Sequence, residues 1–495
     1  MNKQHDVIII GAGNAALCAA IAAREQGASV LALEKAPAYF RGGNTYFTGG
    51  IIRCAYNGLA DLKQLIPDMS PQEEASVEVG QYTEDDFYDD LMRVSNGLAD
   101  PDLAQILVSE SFPTLKWLQE RGVRFVLAFG RQAFKRGDKY HFWGGLLVEA
   151  VGAGKGLSDQ QFEAAERLGV DIRYGTKGVR LLQDQQGGVS GVTVQGPQGF
   201  EDLHAKAVIL ACGGFESNAE MRTRYLGPGW ELAKVRGIPY NTGDGIRMAL
   251  DIGAQPYGHW SGCHAVAWDL NAPPTGDRTI TELYQKHSYP FGIIVNAEGQ
   301  RFVDEGADFR NYTYAKYGRE ILRQPMGMAV QIFDAKVKHL LRDEYHIDQV
   351  SKAEAGTIAD LAEQLGINRD GLDQTVAAFN AAVQPGDYNP TELDGKATQG
   401  IAPPKSNWAL PIDTPPFVGY AVTCGITFTF GGLRIDTRGQ VLDTEGNPIA
   451  NLYAAGELVG GVFYHNYPGG SGLTSGAVFG RLAGASAAAD VAGRE

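Results

Sequence analysis

The feature that most constrains this chain is a glycine-rich turn between an apolar strand at 7–10 and an alanine-rich helix from about residue 15 to residue 26. Gly11 allows the tight turn, Gly13 lets a ligand approach the backbone, and Ala16 takes the third glycine position of a dinucleotide fingerprint. The free N–H groups at the start of the helix would stabilise a pyrophosphate there. The sequence therefore predicts a dinucleotide site, with an ordinary glycine-rich turn as the alternative.

A second strand at 29–33 completes a βαβ unit and ends in Glu34. This acid stands close to the ~20-residue spacing expected of a ribose ligand, and a carboxylate there can accept both hydroxyl protons. The alternative is a solvent-facing acid. The predicted cofactor contacts of this first unit are Gly11, Gly13, Asn14, Ala15, Ala16, Glu34 and Lys35.

Two later segments predict strands that return to the same sheet, at 207–211 and at 452–455, and a last helix begins at about residue 472. The nucleotide domain is therefore discontinuous. A chain of 495 residues with 44% hydrophobic content suits two domains. We predict an α/β fold with a Rossmann-like domain formed by residues 1–255 and 418–495, and an inserted α+β domain at 256–417.

Composition excludes several partners. The formal net charge of −15 repels nucleic acid and anionic lipid, and no apolar stretch reaches the ~18 residues of a membrane span. The first residues, Met1 to Asp6, leave no room for a secretory signal, which predicts a cytoplasmic protein. The five cysteines are scattered without a Cys-x-x-Cys pair, so no metal site is expected.

Seven short motifs follow one another along the chain. They lie at 11–16, 41–50, 211–215, 242–245, 295–305, 454–457 and 469–473. Together they resemble the fumarate reductase/succinate dehydrogenase flavoprotein superfamily over nearly the whole sequence. Within that superfamily, the segments 11–18, 304–312 and 466–472 look most like the tricarballylate dehydrogenase-like branch.

The resemblance implies noncovalent FAD, a mobile capping domain made by the inserted segment, and a substrate held between this cap and the flavin ring. Members with covalent flavin use a histidine of the first glycine-rich loop, whereas the loop at 40–45 contains none. Glu457 resembles the acid that binds the ribityl chain, and the last helix would direct its N-terminus at the flavin. Asp244 would bind polar cofactor groups or serve as a plain turn-former. The further predicted FAD contacts are Gly42, Gly43, Asn44, Thr45, Gly49, Gly50, Ala211, Gly213, Gly214, Asp244, Gly456, Glu457, Gly470, Ser471, Gly472 and Leu473.

The same resemblance implies catalytic roles. Arg310 matches the arginine proton donor of fumarate reductases, and a relay through a nearby carboxylate would allow brief proton release. The sequence does not choose among its four neighbouring acids, and a structural ion pair is the alternative for Arg310. His264 matches a histidine that hydrogen-bonds a substrate carboxylate, with a buried core histidine as the alternative. The candidate relay acids are Glu298, Asp304, Glu305 and Asp308.

Two positions depart from the dicarboxylate-specific members of the family. Phe428 stands where those enzymes have a histidine, and Tyr467 stands where they have an arginine, so half of the usual carboxylate clamp is missing. Tyr467 instead resembles the tyrosine that polarises a ketone in 3-ketosteroid Δ1-dehydrogenases, although those enzymes tend to have tyrosine where this chain has Arg310. The predicted substrate contacts are Phe428, Tyr467, His264 and Arg310.

Three functions remain open from the sequence. The first is an FAD-dependent dehydrogenase, desaturase or reductase acting on a CH–CH bond beside a carboxylate, as in tricarballylate. The second acts on a ketone or enone, and the third is a flavin-binding sensor or subunit without turnover. The partners are a small carboxylic acid or ketone and an electron acceptor that the sequence does not identify, because no haem or iron–sulfur cysteine motif is present.

Overall fold

A computed structural model describes residues 5–142 and 144–493. Met1 to Gln4, on which the expectation about a secretory signal rests in part, lie outside the described residues.

The strands are β1 His5–Ile10, β2 Val30–Leu33, β3 Ile51–Ile52, β4 Val77–Glu78, β5 Phe125–Leu127, β6 Ala133–Arg136, β7 Lys139–Phe142, β8 Val148–Ala150, β9 Asp171–Arg173, β10 Lys177–Gln183, β11 Val189–Gly196, β12 Gly199–Leu210, β13 Lys234–Val235, β14 Pro256–Asp269, β15 Ile293–Asn296, β16 Met328–Phe333, β17 Lys352–Ala355, β18 Phe417–Leu433, β19 Gln440–Leu442 and β20 Pro448–Ala454. The helices are α1 Asn14–Glu25, α2 Leu59–Leu65, α3 Pro71–Ser76, α4 Glu84–Val94, α5 Pro101–Ser109, α6 Ser111–Glu120, α7 Phe129–Gln132, α8 Ala153–Arg167, α9 Ala219–Met221, α10 Asp244–Leu250, α11 Tyr314–Leu322, α12 Ile358–Leu365, α13 Arg369–Ala382 and α14 Ser471–Ala492.

The largest sheet has eight strands, and both ends of the chain contribute to it. Its main path runs β10-β11-β12-β1-β2-β9, with β20 beside β12 and β19 beside β20. Strand β1 pairs in parallel with β2 and β12, and β12 pairs in parallel with β20. These strands are apolar and buried, as expected of a parallel sheet covered on both faces. The predicted discontinuous Rossmann-like α/β fold is confirmed.

Close packing of α1 against α14 covers part of this sheet. A Cβ atom added at Gly480 would lie 2.4 Å from the carbonyl oxygen of Ala15, and one at Gly484 would lie 2.2 Å from that of Ala19. Only glycine permits this approach of the two backbones. The glycines of α14 and the small alanines of α1 therefore allow these two helices to pack closely.

The second sheet has six strands and carries the part of the chain expected to form the cap. Its path is β13-β18-β16-β15, with β14 and β17 also paired with β18. The predicted inserted domain, 256–417, begins with β14, but its predicted end at 417 leaves almost all of β18, the pairing partner of β14, outside it. The domain boundaries themselves stay a prediction.

Two three-stranded sheets, β3-β8-β5 and β4-β7-β6, complete the architecture together with helices α2 to α8. No helix within residues 5–142 and 144–493 combines the length and apolar character that crossing a membrane requires.

Candidate cofactor and substrate site

One pocket brings together residues from all parts of the chain. It begins at the carboxyl ends of β1, β2 and β12 and extends to the second sheet. The predicted site residues that line it are Gly11, Gly13, Asn14, Ala15, Glu34, Lys35, Gly43, Asn44, Thr45, Gly49, Ala211, Gly213, Asp244, Arg310, Phe428, Gly456, Glu457, Tyr467, Gly470, Gly472 and Leu473. The predicted residues that are not part of its lining are Ala16, Gly42, Gly50, Gly214, Ser471 and His264.

The turn before α1 forms one end of the pocket. A Cβ atom at Gly11, which has a φ of +114°, would lie 2.3 Å from the carbonyl oxygen of Ala211, so this position requires glycine. At Gly13 the nearest neighbour of an added Cβ atom is the Thr45 hydroxyl, 3.9 Å away. The backbone of Gly13 is therefore accessible to a ligand, as a pyrophosphate over the helix N-terminus requires. The residues present fit a dinucleotide here.

Glu34 occupies the position expected of the ribose ligand. Its side chain is buried and accepts hydrogen bonds from the backbone N–H groups of Ala12 at 3.0 Å and Ala36 at 2.7 Å. Burial raises the pKa of Glu34, and these two hydrogen bonds oppose the shift. Each carboxylate oxygen retains a second lone pair for a ribose hydroxyl.

Asp244 is the first residue of α10 and bridges two lysines at the same end of the pocket. Its carboxylate lies 2.8 Å from Lys35 Nζ and 2.9 Å from Lys177 Nζ. Although burial opposes ionisation, the hydrogen bonds from Lys35 and Lys177 lower the pKa of Asp244 to about 2. Asp244 therefore holds two lysines beside the predicted nucleotide.

The other end of the pocket has four arginines, which come from α7, the segment after β13, the segment before α11, and the loop after residue 340. All four line the pocket together with two glutamates, Gln285 and His287. These charged residues are Arg131, Arg236, Arg310, Arg342, Glu282 and Glu344. A group of arginines in a buried chamber is suited to binding carboxylates.

Glu282 links two of these arginines. Its carboxylate forms an ion pair with Arg131 and lies 3.7 Å from Arg236 Nη2, and it accepts a hydrogen bond of 3.0 Å from Gln285. The Nε atom of Arg236 is buried without a hydrogen-bond partner among the described residues. This atom remains available for an anionic ligand.

Arg310 lies in the same chamber and is 6% exposed. Its Nη1 lies 3.3 Å from His287 Nδ1, and its Nη2 donates to the carbonyl oxygen of Arg131 at 3.0 Å. Burial lowers the pKa of Arg310, and the charge of Glu344 opposes the shift. Burial therefore makes this guanidinium a stronger acid than an exposed one, which is compatible with the predicted role of proton donor.

The carboxylates near Arg310 in sequence have other partners. Asp304 accepts from Ser406, Glu305 pairs with Arg301, and Asp308 pairs with Arg93 at 2.8 Å. Glu298 is exposed. The structure instead places His287 beside Arg310, with Glu344 as the acid whose charge acts on it.

Aromatic rings line the pocket beside the arginines, with the Tyr314 ring 4.8 Å from that of His287. Phe428, Tyr314 and Tyr467 line the pocket, and the hydroxyl groups of the two tyrosines share a short hydrogen bond. His264 is fully buried and stacks on Phe428 with a ring separation of 5.2 Å. Neither ring nitrogen of His264 has a hydrogen-bond partner among the described residues. The structure therefore places His264 behind these aromatic rings and not at the pocket surface.

Sequence reasoning missed Arg131, Arg236, Arg342, Glu282 and His287. None of them lies in a motif of the kind that identified the cofactor turn. The one sequence feature that could have pointed to any of them is that Arg236 lies close in the chain to the predicted cofactor motif at 242–245. Their convergence arises from tertiary contacts between segments that are far apart in the chain.

Residues 6–473 match the family described as FAD binding domain. The chain is 30% identical to the probable fumarate reductase Ifc3 of Shewanella frigidimarina (strain NCIMB 400), over 97% of this chain and 74% of that protein. It is 27% identical to a 3-oxosteroid 1-dehydrogenase of Mycobacterium tuberculosis, over 97% of this chain and 98% of that one. A solved open conformation of a flavocytochrome c3 fumarate reductase superposes with a TM-score of 0.74 and 27% identity, covering 99% of this chain and 79% of that chain.

The chain belongs to the FAD-dependent fumarate reductase/succinate dehydrogenase flavoprotein superfamily. It is an FAD-dependent oxidoreductase that acts on CH–CH bonds. The tricarballylate dehydrogenase-like branch stays a prediction.

Proposed function

We propose that this enzyme oxidises or reduces the CH–CH bond of a small acid with several carboxylates, such as tricarballylate. The observation that carries this proposal is the convergence of four arginines on one end of the FAD pocket. Because Glu282 and Glu344 compensate part of their charge, the chamber suits a compact polyanion that forms directed hydrogen bonds.

FAD, when bound, supplies hydride transfer at its ring. Arg310 moves the accompanying proton, with the imidazole of His287 as its hydrogen-bonded neighbour. Burial and the charge of Arg310 hold the pKa of His287 well below its usual value, so the imidazole is neutral and weakly basic, and it can accept a hydrogen bond from Arg310 without removing its proton. Arg236 and Arg342 bind substrate carboxylates.

Fumarate and succinate are poor substrates in this proposal. Phe428 and Tyr467 place an apolar ring and a neutral hydroxyl where dicarboxylate-specific relatives have two carboxylate ligands. Losing a charged partner for a buried anion costs about 2–5 kcal/mol. The neighbouring arginines favour an acid with more carboxylates than fumarate or succinate.

A second candidate is a ketone or enone dehydrogenase. The hydrogen-bonded pair of Tyr314 and Tyr467 favours it, because such a pair can polarise a carbonyl oxygen. The similarity to a 3-oxosteroid 1-dehydrogenase adds to this reading. Four arginines, however, have no role in binding a neutral steroid.

Anaerobic reduction of the flavin separates these candidates. The enzyme is mixed with tricarballylate, succinate, a keto-cyclohexane carboxylate or a 3-ketosteroid, and loss of flavin absorbance is followed. We expect tricarballylate to reduce the flavin fastest. Faster reduction by succinate would show that the interpretation of Phe428 and Tyr467 is wrong, and faster reduction by the steroid would favour the second candidate.

The physiological electron acceptor is unassigned. The cytoplasmic location expected from the sequence stays a prediction.

A further inference from the structure

Two acidic side chains follow neighbouring strands beside the cofactor pocket. Glu216 follows β12 through the Gly213–Phe215 turn, and Glu457 follows β20. Because β12 and β20 are parallel neighbours, their carboxyl ends place both acids at the same edge of the sheet. Glu457 lines the pocket, whereas Glu216 is fully buried behind it.

The hydrogen bonds of Glu216 are all on one side of its carboxyl group. Its Oε1 accepts from Asn44 Nδ2 at 2.7 Å and from Asn241 Nδ2 at 2.6 Å. Its Oε2 is buried without a hydrogen-bond partner among the described residues. The two asparagines line the pocket, so Glu216 contributes to the orientation of both, together with Thr427 and Ile238 in the case of Asn44.

The packing around Glu457 is equally tight. Its Oε1 accepts from the backbone N–H and hydroxyl of Thr429, at 2.8 and 3.2 Å. A Cβ atom at Gly214 would lie 2.2 Å from this oxygen. Glu457 is therefore packed closely against the turn that leads to Glu216, and a side chain at position 214 would displace it.

The cation near this pair does not neutralise it. Arg222 donates to the backbone carbonyl oxygens of Glu216, Trp230 and Glu231. Its three guanidinium nitrogens donate to main-chain oxygens, and within the described residues Arg222 forms no ion pair with either carboxylate. An ionised carboxylate as fully buried as that of Glu216 would be strongly disfavoured without such a partner.

We propose that Glu216 is neutral and donates its proton to the carboxylate of Glu457, and that Glu216 is the positioning residue that holds Asn44 and Asn241 at the cofactor. The hydroxyl of neutral Glu216 would be at Oε2, the oxygen that lacks a partner, while Oε1 keeps both asparagine bonds. Glu457 stays anionic and keeps an oxygen for hydroxyl groups of the cofactor.

The electrostatics agree with this arrangement. Burial raises the pKa of Glu216 well above its usual value, and the charge of Glu457 raises it further. Burial also raises the pKa of Glu457, while the hydrogen bond with Glu216 lowers it. Of the two acids, Glu216 is the one that keeps the proton.

Glu216→Gln tests the protonation state, because glutamine has the shape of neutral glutamic acid. Its amide oxygen can accept from both asparagines, and its amide nitrogen can donate to Glu457. We expect FAD affinity, measured by fluorescence titration of the apoprotein, to stay within about threefold of the wild type. The midpoint potential of the flavin should be unchanged, since no charge is lost. Glu216→Ala, which removes the acceptor that the two asparagines share and leaves Asn44 Nδ2 only its bond to the Thr427 carbonyl oxygen, should weaken FAD binding by at least tenfold.

Infrared spectroscopy reads the proton directly. A difference spectrum between wild type and Glu216→Gln at neutral pH should contain the carbonyl stretch of a protonated carboxylic acid, lost in the variant. A difference spectrum with only carboxylate bands would overturn the proposal. So would a raised midpoint potential in Glu216→Gln, because it would show that an anion had been removed. Neither readout depends on the substrate, so failure here is distinguishable from failure of the proposed function.

Discussion

The guanidinium of Arg236 lies 3.7 Å from the carboxylate of Glu282, and both side chains are buried at the arginine-rich end of the pocket. Thr281, the residue before Glu282, has a φ of +57°, which is unfavourable for a β-branched residue. The chain thus tolerates local strain at the residue that places Glu282 between Arg131 and Arg236. Such strain is typical of functional positions.

Replacing Arg236 with alanine should impair binding of an anionic substrate. Loss of a charged hydrogen-bonding partner costs about 2–5 kcal/mol, so we expect KM to rise at least ~30-fold, with a smaller change in kcat. Arg323→Ala is a matched control, because that arginine is exposed on α11's C-terminal side. An unchanged KM in Arg236→Ala would remove this residue from the substrate site.

Arg310→Ala should lower turnover by at least the ~10²-fold typical of a lost general acid or base. The flavin absorbance spectrum and the melting temperature should remain close to those of the wild type. The decisive measurement is kcat at saturating substrate, compared with Arg310→Lys, which keeps a charge but not the guanidinium. Near-normal turnover in the alanine variant would assign the proton transfer elsewhere, with Tyr467 next in line.

The pH dependence of substrate binding should report on Glu149. Its Oε2 lies 3.4 Å from Arg131 Nε, and burial raises the pKa of Glu149 to about 7, although the charge of Arg131 opposes the shift. Above pH 7 Glu149 ionises and reduces the positive charge of the chamber. We therefore expect KM for an anionic substrate to rise through this range in the wild type and to stay flatter in Glu149→Gln.

The raised pKa of Glu149 also makes the free energy of unfolding depend on pH. Because its pKa is raised in the folded state, Glu149 contributes stability that is fully present below the ordinary glutamate pKa of ~4.3 and is lost as pH rises towards 7. Thermal melts of wild type and Glu149→Gln between pH 4.5 and 7 should therefore differ in slope, with the glutamine variant less sensitive. Parallel slopes would contradict the assignment.

The cofactor turn and the first and last helices could be predicted because residues close together in the sequence determine them. Gly11, Gly13 and Glu34 lie in one βαβ unit, where residue spacing alone determines their positions. The predicted helix from about 15 to 26 is observed as Asn14–Glu25, one residue earlier. The last helix begins at Ser471, beside its expected start.

The arginine-rich end of the pocket could not be predicted from residue spacing. Arg131 and Arg236 are brought together by Glu282, which comes from a third segment. No spacing rule links positions so far apart in the chain, and arginine is common on protein surfaces. For His264 the family resemblance predicted a contact with the substrate. In the structure its ring stacks on Phe428 and lies behind the aromatic residues that line the pocket.

FAD should be released by denaturation. The loop at 40–45 contains no histidine that could attach the flavin. Acid precipitation should therefore leave a yellow supernatant and a colourless pellet. Colour retained in the washed pellet would show a covalent bond, and peptide mapping would then locate it.

The hydroxyl of Tyr467 distinguishes the two substrate classes. It shares a hydrogen bond with Tyr314, and in a ketone dehydrogenase the pair would polarise the carbonyl oxygen that drives the reaction. Loss of one such donor reduces turnover by about 10²–10³-fold. For an acid bound mainly by arginines, Tyr467→Phe removes one neutral hydrogen bond, worth about 0.5–1.5 kcal/mol, so we expect the loss to stay near tenfold. Tyr314→Phe, which removes the other hydroxyl, is the matched comparison. A loss of 10²-fold or more with tricarballylate would show that the tyrosine pair takes part in the chemistry, contrary to the arginine-based function proposed above.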